Sequence, residues 1–249
     1  MKKTTQDKQL FTSPVDAEAD FTQTDTWRVM RIMGEFVAGF DTLADLGPAI
    51  TIFGSARIKP DNPLYRAAVE TARRLGEAGY NIITGGGPGI MSAGNEGARA
   101  AGVTSVGLNI ELPFEQKLNP NVDVAVDFHY FFVRKTMLVK YAQGFVIFPG
   151  GFGTMDELFE SLTLIQTGKV ENFPVVLYDR AYWQGLLEWL RETMLANGRI
   201  AAADLDLLLL ADSPEEVCAH IQRRTHEGQE RQQQEHEARE VTRRVFQPE

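Results

Sequence analysis

Up to about Thr24 the chain is polar, with no apolar periodicity, so residues 1–24 read as a mobile polar extension. From Asp25 the pattern changes. Trp27, Met30, Ile32, Met33, Phe36, Val37 and Phe40 recur at helical spacing, with Asp25-Thr26 as the start and Gly47-Pro48 as the stop. Short, continuous apolar runs follow at 49–53, 80–84, 103–110, 122–128, 144–148 and 174–178, and each reads as a strand. Helical patterns alternate with them. They cover about 63–78, a small-residue stretch with Ala93, Ala98, Ala100 and Ala101, then 131–142 and a segment ending near Thr167. The segment 182–196 follows, with Trp183, Leu186, Leu187 and Leu190 on one face. A last short helix is predicted over about 214–224, and the polar tail 227–249 reads either as a solvated helix extension or as disorder.

Strands that are apolar throughout, alternating with helices, predict a parallel sheet covered on both faces. The expected fold is α/β: a Rossmann-like, doubly wound sheet over residues 25–226, with an extra N-terminal helix and no fixed-period repeat. A length of 249 residues and a hydrophobic fraction of 43% suit one such domain with terminal extensions.

Charge narrows the partners. A net charge of -9 repels a nucleic-acid backbone at long range, yet a local cluster of amides and cations can still hold one phosphate. The single cysteine, Cys218, excludes an intrachain disulfide, and neither it nor the four histidines show metal-ligand spacing. The polar N-terminus has no apolar core of a secretory signal, and the run at 205–210 is far below the roughly 18 residues that span a bilayer. A cytoplasmic protein with no membrane and no nucleic-acid partner is expected.

Ligands of open parallel sheets bind beyond the C-terminal ends of the strands. Ser55 lies there, as do two glycine loops: Gly85-Gly86-Gly87 and Gly150-Gly151, the latter continuing through Gly153 and Thr154 into a helix. Glycines let the backbone approach a phosphate, and the following helix offers free N–H groups and a partial positive charge. Neither loop has the Lys-Ser/Thr pair of a Walker motif. Both also fail G-x-G-x-x-G, because the sixth positions are Ile90 and Asp156. Asp156 and Glu157 open the helix after the second loop; about a hundred degrees separates adjacent side chains, so one of the two is expected to face the ligand. Arg134 and Lys135 near the start of the preceding helix oppose its dipole, unless an anion such as Glu157 or a phosphate lies close.

The segment Pro149-Gly150-Gly151-Phe152-Gly153-Thr154-Met155-Asp156-Glu157 resembles the P-G-G-x-G-T-x-x-E signature of the LOG family, the cytokinin riboside 5'-monophosphate phosphoribohydrolases. Gly85-Gly86-Gly87-Pro88-Gly89-Ile90-Met91 is similar to its other glycine motif, and Arg134-Lys135 stands at its Arg-Lys pair. The terminal segments resemble those of the longer bacterial members. The resemblance implies a hydrolase that cleaves the N-glycosidic bond of AMP or N6-prenyl-AMP to free base and ribose 5-phosphate, without metal or organic cofactor. Arg134 and Glu157 would be catalytic. Lys135, Gly151, Gly153, Thr154 and Thr163 would line the nucleotide site, with Glu115 or Gln116 beside them. A homodimer or higher homo-oligomer is implied, and the apolar first helix is a candidate interface. The alternative on the same fold is a non-catalytic nucleotide or molybdenum-cofactor carrier. The family's older label, lysine decarboxylase, would require a Schiff-base lysine and a partner for a pyridine nitrogen, and no pattern marks such a set.

Overall fold

A computed structural model describes residues 5–11, 24–113, 118–171 and 173–245. The strands β1 (Ala49–Phe53), β2 (Asn81–Thr84), β3 (Ser105–Ile110), β4 (Val124–Phe128), β5 (Phe145–Ile147), β6 (Val175–Tyr178) and β7 (Leu208–Ala211) form one sheet in the order β4-β3-β2-β1-β5-β6-β7. Every pairing is parallel, as the unbroken apolar runs predict. The direction of winding reverses between β1 and β5.

Alternation along each strand feeds two cores. Ile50 and Ile52 of β1, with Val146 and Phe148 at β5, face α3 (Pro63–Glu77), α4 (Ile90–Ala101) and the first turns of α9 (Pro214–Val245). Phe53, Phe145 and Ile147 face the opposite way, toward α2 (Asp25–Leu43), α5 (Phe131–Lys140), α6 (Phe152–Gln166) and α7 (Arg180–Trp189). Each such apolar side chain contributes about 1.5–3 kcal/mol when fully buried. The small residues of α4 have a packing reason: a Cβ on Gly97 would run into the Val69 carbonyl and Ala72 of α3.

The structure departs from the sequence reading in four places. The run that forms β7 is short and lies at the sheet edge, where pairing with β6 rather than periodicity defines it. The N-terminal extension is partly built into the fold: Thr5 caps α1 (Gln6–Leu10), and Asp7 Oδ2 accepts from Phe131 N at 3.2 Å, a carboxylate at the positive end of α5. The C-terminal helix runs on past residue 224 to Val245, and its beginning is anchored by Val217, Ile221 and a 2.7 Å hydrogen bond between the Tyr80 and Thr225 hydroxyls. The helix predicted over 182–196 divides into α7 and a π-helical turn, Leu190–Leu195; between α7 and α9 lies the short α8 (Ala202–Leu205). No helix among the described residues is long and apolar enough to cross a membrane.

Candidate active site

A cleft of about 850 Å³ opens over the C-terminal ends of β1 and β5, at the point where the winding reverses. The stretch Gly54–Ile58 after β1 forms one wall and the stretch Pro149–Glu157 after β5 forms the other. Ile110, Leu112, Phe131 and Arg134 close one end, and Tyr182 at the start of α7 closes the other. Ser55 ties the walls together: its N–H donates to Pro149 O at 3.0 Å, and its carbonyl accepts from Ile90 N at 3.1 Å.

The loop after β5 ends in an uncapped helix. Gly151 is the N-cap residue of α6 and supplies no side chain, while its carbonyl accepts from Thr154 N and Met155 N, both at 3.0 Å. The N–H groups of Gly151, Phe152 and Gly153 have no acceptor among the described residues. Such orphan donors at a helix start form an anion site. Gly150 is needed sterically, since a Cβ there would overlap the Thr154 side chain; Gly151 and Gly153 have open space around them.

Glu157 lies one turn further along α6, on the inward face, and is 6% exposed. Its Oε2 is buried without a hydrogen-bond partner. Burial pushes its carboxyl up to about 7, while Lys135 and then Arg134 pull it back. Asp156 is exposed on the neighbouring face, as the helical geometry predicts. The Arg134 Nε donates to Leu108 O at 2.7 Å, which aims the guanidinium along the cleft. Burial lowers its pKa and the Glu157 charge opposes that. No ion pair within 4 Å joins Arg134 to Glu157; they interact through space across the cleft floor.

Lys135 does not line the cleft. Its Nζ bonds Asp156 Oδ2 at 3.0 Å and Glu160 Oε2 at 2.6 Å, clamping α5 onto α6 on either side of Glu157. Burial works against its ammonium form, but these two carboxylates outweigh that and raise its pKa. Thr163 is also off the cleft, because its hydroxyl is turned back to Phe159 O at 2.8 Å on the exposed side of α6.

Of the first glycine loop, only Gly85 reaches the cleft. A Cβ there would collide with the Arg134 guanidinium and Met91 Sδ. Gly86 and Gly87 lie off the cleft, held against the segment at Asn119: Gly86 N donates to Thr84 Oγ1 at 3.0 Å, Gly86 O accepts from Asn119 N at 3.0 Å, and Gly87 O accepts from Asn119 Nδ2 at 3.2 Å. Asn119 Nδ2 also reaches the buried Asn95, which Thr84 and Ser105 satisfy in turn.

The cleft therefore gathers Ser55, Gly85, Arg134, Gly150, Gly151, Gly153, Thr154 and Glu157, whereas Gly86, Gly87, Lys135 and Thr163 stand away from it. Glu115 and Gln116 lie outside the described residues. Motif reading missed Arg57 and Tyr182 on the walls, and quoted Met91 in the first glycine motif without giving it a place there. Tyr182 had a usable signal: it sits at a strand-to-helix junction on the ligand-binding edge of the sheet.

Residues 91–221 match the family model described as "Possible lysine decarboxylase". A Mycobacterium tuberculosis protein named cytokinin riboside 5'-monophosphate phosphoribohydrolase is 28% identical over 159 residues, covering 61% of this chain and 84% of the relative. The Arabidopsis thaliana protein of the same name, LOG3, is 25% identical over 162 residues, covering 63% and 73%. Among solved structures, the molybdenum cofactor binding protein of Rippkaea orientalis superimposes with a TM-score of 0.52 at 20% identity, covering 71% of this chain and 94% of that one. The molybdenum cofactor carrier protein of Chlamydomonas reinhardtii gives 0.52 at 20%, covering 71% and 97%. At those identities the likeness is one of fold. Sequence relatives, family model and glycine–arginine–glutamate pattern agree, and the chain belongs to the LOG family, whose model carries the lysine decarboxylase description.

Proposed function

We propose that the protein is a nucleoside 5'-monophosphate phosphoribohydrolase acting on AMP or an N6-substituted AMP. The observation that carries this reading is Glu157: a buried carboxyl with one unpaired oxygen, close to neutrality in pKa, one helical turn from a row of free amides. The amides of Gly151, Phe152 and Gly153 hold the 5'-phosphate. The sugar then lies over α6 toward Glu157. As the C1'–N bond breaks, its electron pair leaves with the base and positive charge builds on the sugar. The Glu157 carboxylate stabilises that charge and takes a proton from the water that adds to C1'; that proton passes on to the departing base, which leaves neutral. Arg134, fixed by Leu108, supplies a cation facing the same space. Fixing the phosphate spends remote binding energy on placing the bond that breaks.

The test is a panel of nucleoside monophosphates assayed for free base and ribose 5-phosphate, with Glu157→Gln as control. The variant is expected to lose about 10²–10⁴-fold in kcat while still binding nucleotide. Equal turnover by variant and parent would defeat the mechanism. The carrier alternative rests on the shared fold, and predicts a ligand that co-purifies and is never turned over. For assembly, we propose that α2 meets a second copy, since Met30, Met33 and Val37 present an apolar stripe to the outside.

A further inference from the structure

The loop after β5 has a geometric difficulty. Gly150 and Gly151 carry no side chains, and a peptide plane between two glycines turns freely. Turned over, it would aim a carbonyl oxygen where the anion site needs an N–H. Two contacts hold the planes. The carbonyl of Gly151 is taken by the amides of Thr154 and Met155. The carbonyl of Gly150 is taken by one side chain from another element, the hydroxyl of Tyr182, at 2.6 Å. In a planar trans peptide the Gly150 carbonyl and the Gly151 N–H point in opposite directions, so holding the first fixes the second.

Tyr182 is itself firmly placed. It stands in the first turn of α7, its N–H donates to Asp179 Oδ1 at 3.3 Å, and its ring packs edge-on against Trp183 at 4.9 Å. Asp179 caps that helix with φ 73, the one non-glycine residue with positive φ among those described, and its N–H is tied to Ala211 O at 2.9 Å. A strained cap is retained where it places something, and here it places the residue that reaches across to the loop. The other face of the Tyr182 ring is open to the cleft.

We propose that Tyr182 is a positioning residue of the phosphate site: its hydroxyl sets the Gly150–Gly151 peptide so that the following amides are aligned before ligand arrives. This rests on the reading of the cleft as a nucleotide 5'-monophosphate site. It assigns α7, an element outside the family motifs, a part in recognising the phosphate rather than the base.

The test uses Tyr182→Phe, which removes the hydroxyl and keeps the ring. The full chain is titrated with ribose 5-phosphate, which binds without being consumed, and AMP hydrolysis is followed in parallel. Loss of one hydrogen bond predicts a fivefold to tenfold weaker ribose 5-phosphate affinity, about the worth of such a bond. KM for AMP is expected to rise by a similar factor, with kcat changed less than about twofold and the melting temperature lowered by no more than about 4 °C. Parent-like affinity and KM in the variant would overturn the inference while leaving the hydrolase reading intact. A melting temperature that falls by about 10 °C or more would also overturn it, showing a merely structural tyrosine. If the parent neither binds ribose 5-phosphate nor hydrolyses AMP, the hydrolase reading fails and this inference with it.

Discussion

The two glycine loops look alike in sequence and are used in opposite ways. Gly85-Gly86-Gly87 is buried, and the Gly86 N–H and the Gly86 and Gly87 carbonyls are satisfied from within, by Thr84 and Asn119. Gly150-Gly151-Phe152-Gly153 is open to the cleft, and its N–H groups wait for an acceptor. The first loop is glycine-rich because neighbours crowd it; the second is glycine-rich mainly because something must approach it. A repeated strand–glycine–helix unit thus supplies a scaffold once and a binding site once, and burial and crowding, not composition, separate them.

The largest expected effect concerns the charge beneath the open loop. Because the Glu157 pKa is raised in the folded chain, from 4.5 to about 7, stability is fully present below pH 4.5 and is lost as pH rises through about 7. Glu157→Gln should therefore be more stable than the parent above pH 7, by up to about 3 kcal/mol, with the difference vanishing below pH 4.5. Denaturant titrations across that range measure it, and a pH-independent difference would contradict the buried-acid account.

Next in size is Gly85→Ala, which drives a methyl group into the Arg134 guanidinium. A displaced Arg134 should cost about 10²-fold in kcat/KM with the fold retained. Undiminished turnover would show that the closed loop does not set Arg134. Asn119→Ala strips the side-chain donor from the Gly87 carbonyl and from Asn95 Oδ1 and is expected to destabilise the chain by about 1–3 kcal/mol, read from thermal or chemical unfolding. Lys135→Met removes the stronger of the two positive charges that lower the Glu157 pKa, so the acidic limb of the pH–rate profile should move to higher pH. An unmoved limb would detach Lys135 from the carboxyl. Smallest is Gly151→Ala. Its φ of -97 suits any residue and nothing crowds its Cβ, so stability should change by no more than about 0.5 kcal/mol, leaving any effect to ligand affinity.

Much of the fold was legible because continuous apolar strands and capped helices are local signals. The β1 run is recovered residue for residue, and α5 within a few residues at its end. What escaped is non-local. β7 exists by pairing with β6, α1 is held by Phe131, and nothing near Tyr182 in the chain announces that it bonds Gly150. At the site, the sequence placed Arg134, Glu157 and both glycine loops near one edge of the sheet, but could not say which backbone donors were already spent. Lys135 shows the same limit: its type suits a phosphate, and its neighbours Asp156 and Glu160, across a helix interface, claim it first.

The Asp7 cap on α5 has a consequence for the order of events at the ribosome. Its carboxylate and the Phe131 amide it meets are 124 positions apart. At about 5–20 residues per second, α1 waits roughly 6–25 s for the helix it will cap. Its docking thus trails its own synthesis by the making of four strands, and the residues beside Arg134 gain that support only from a segment made long before them.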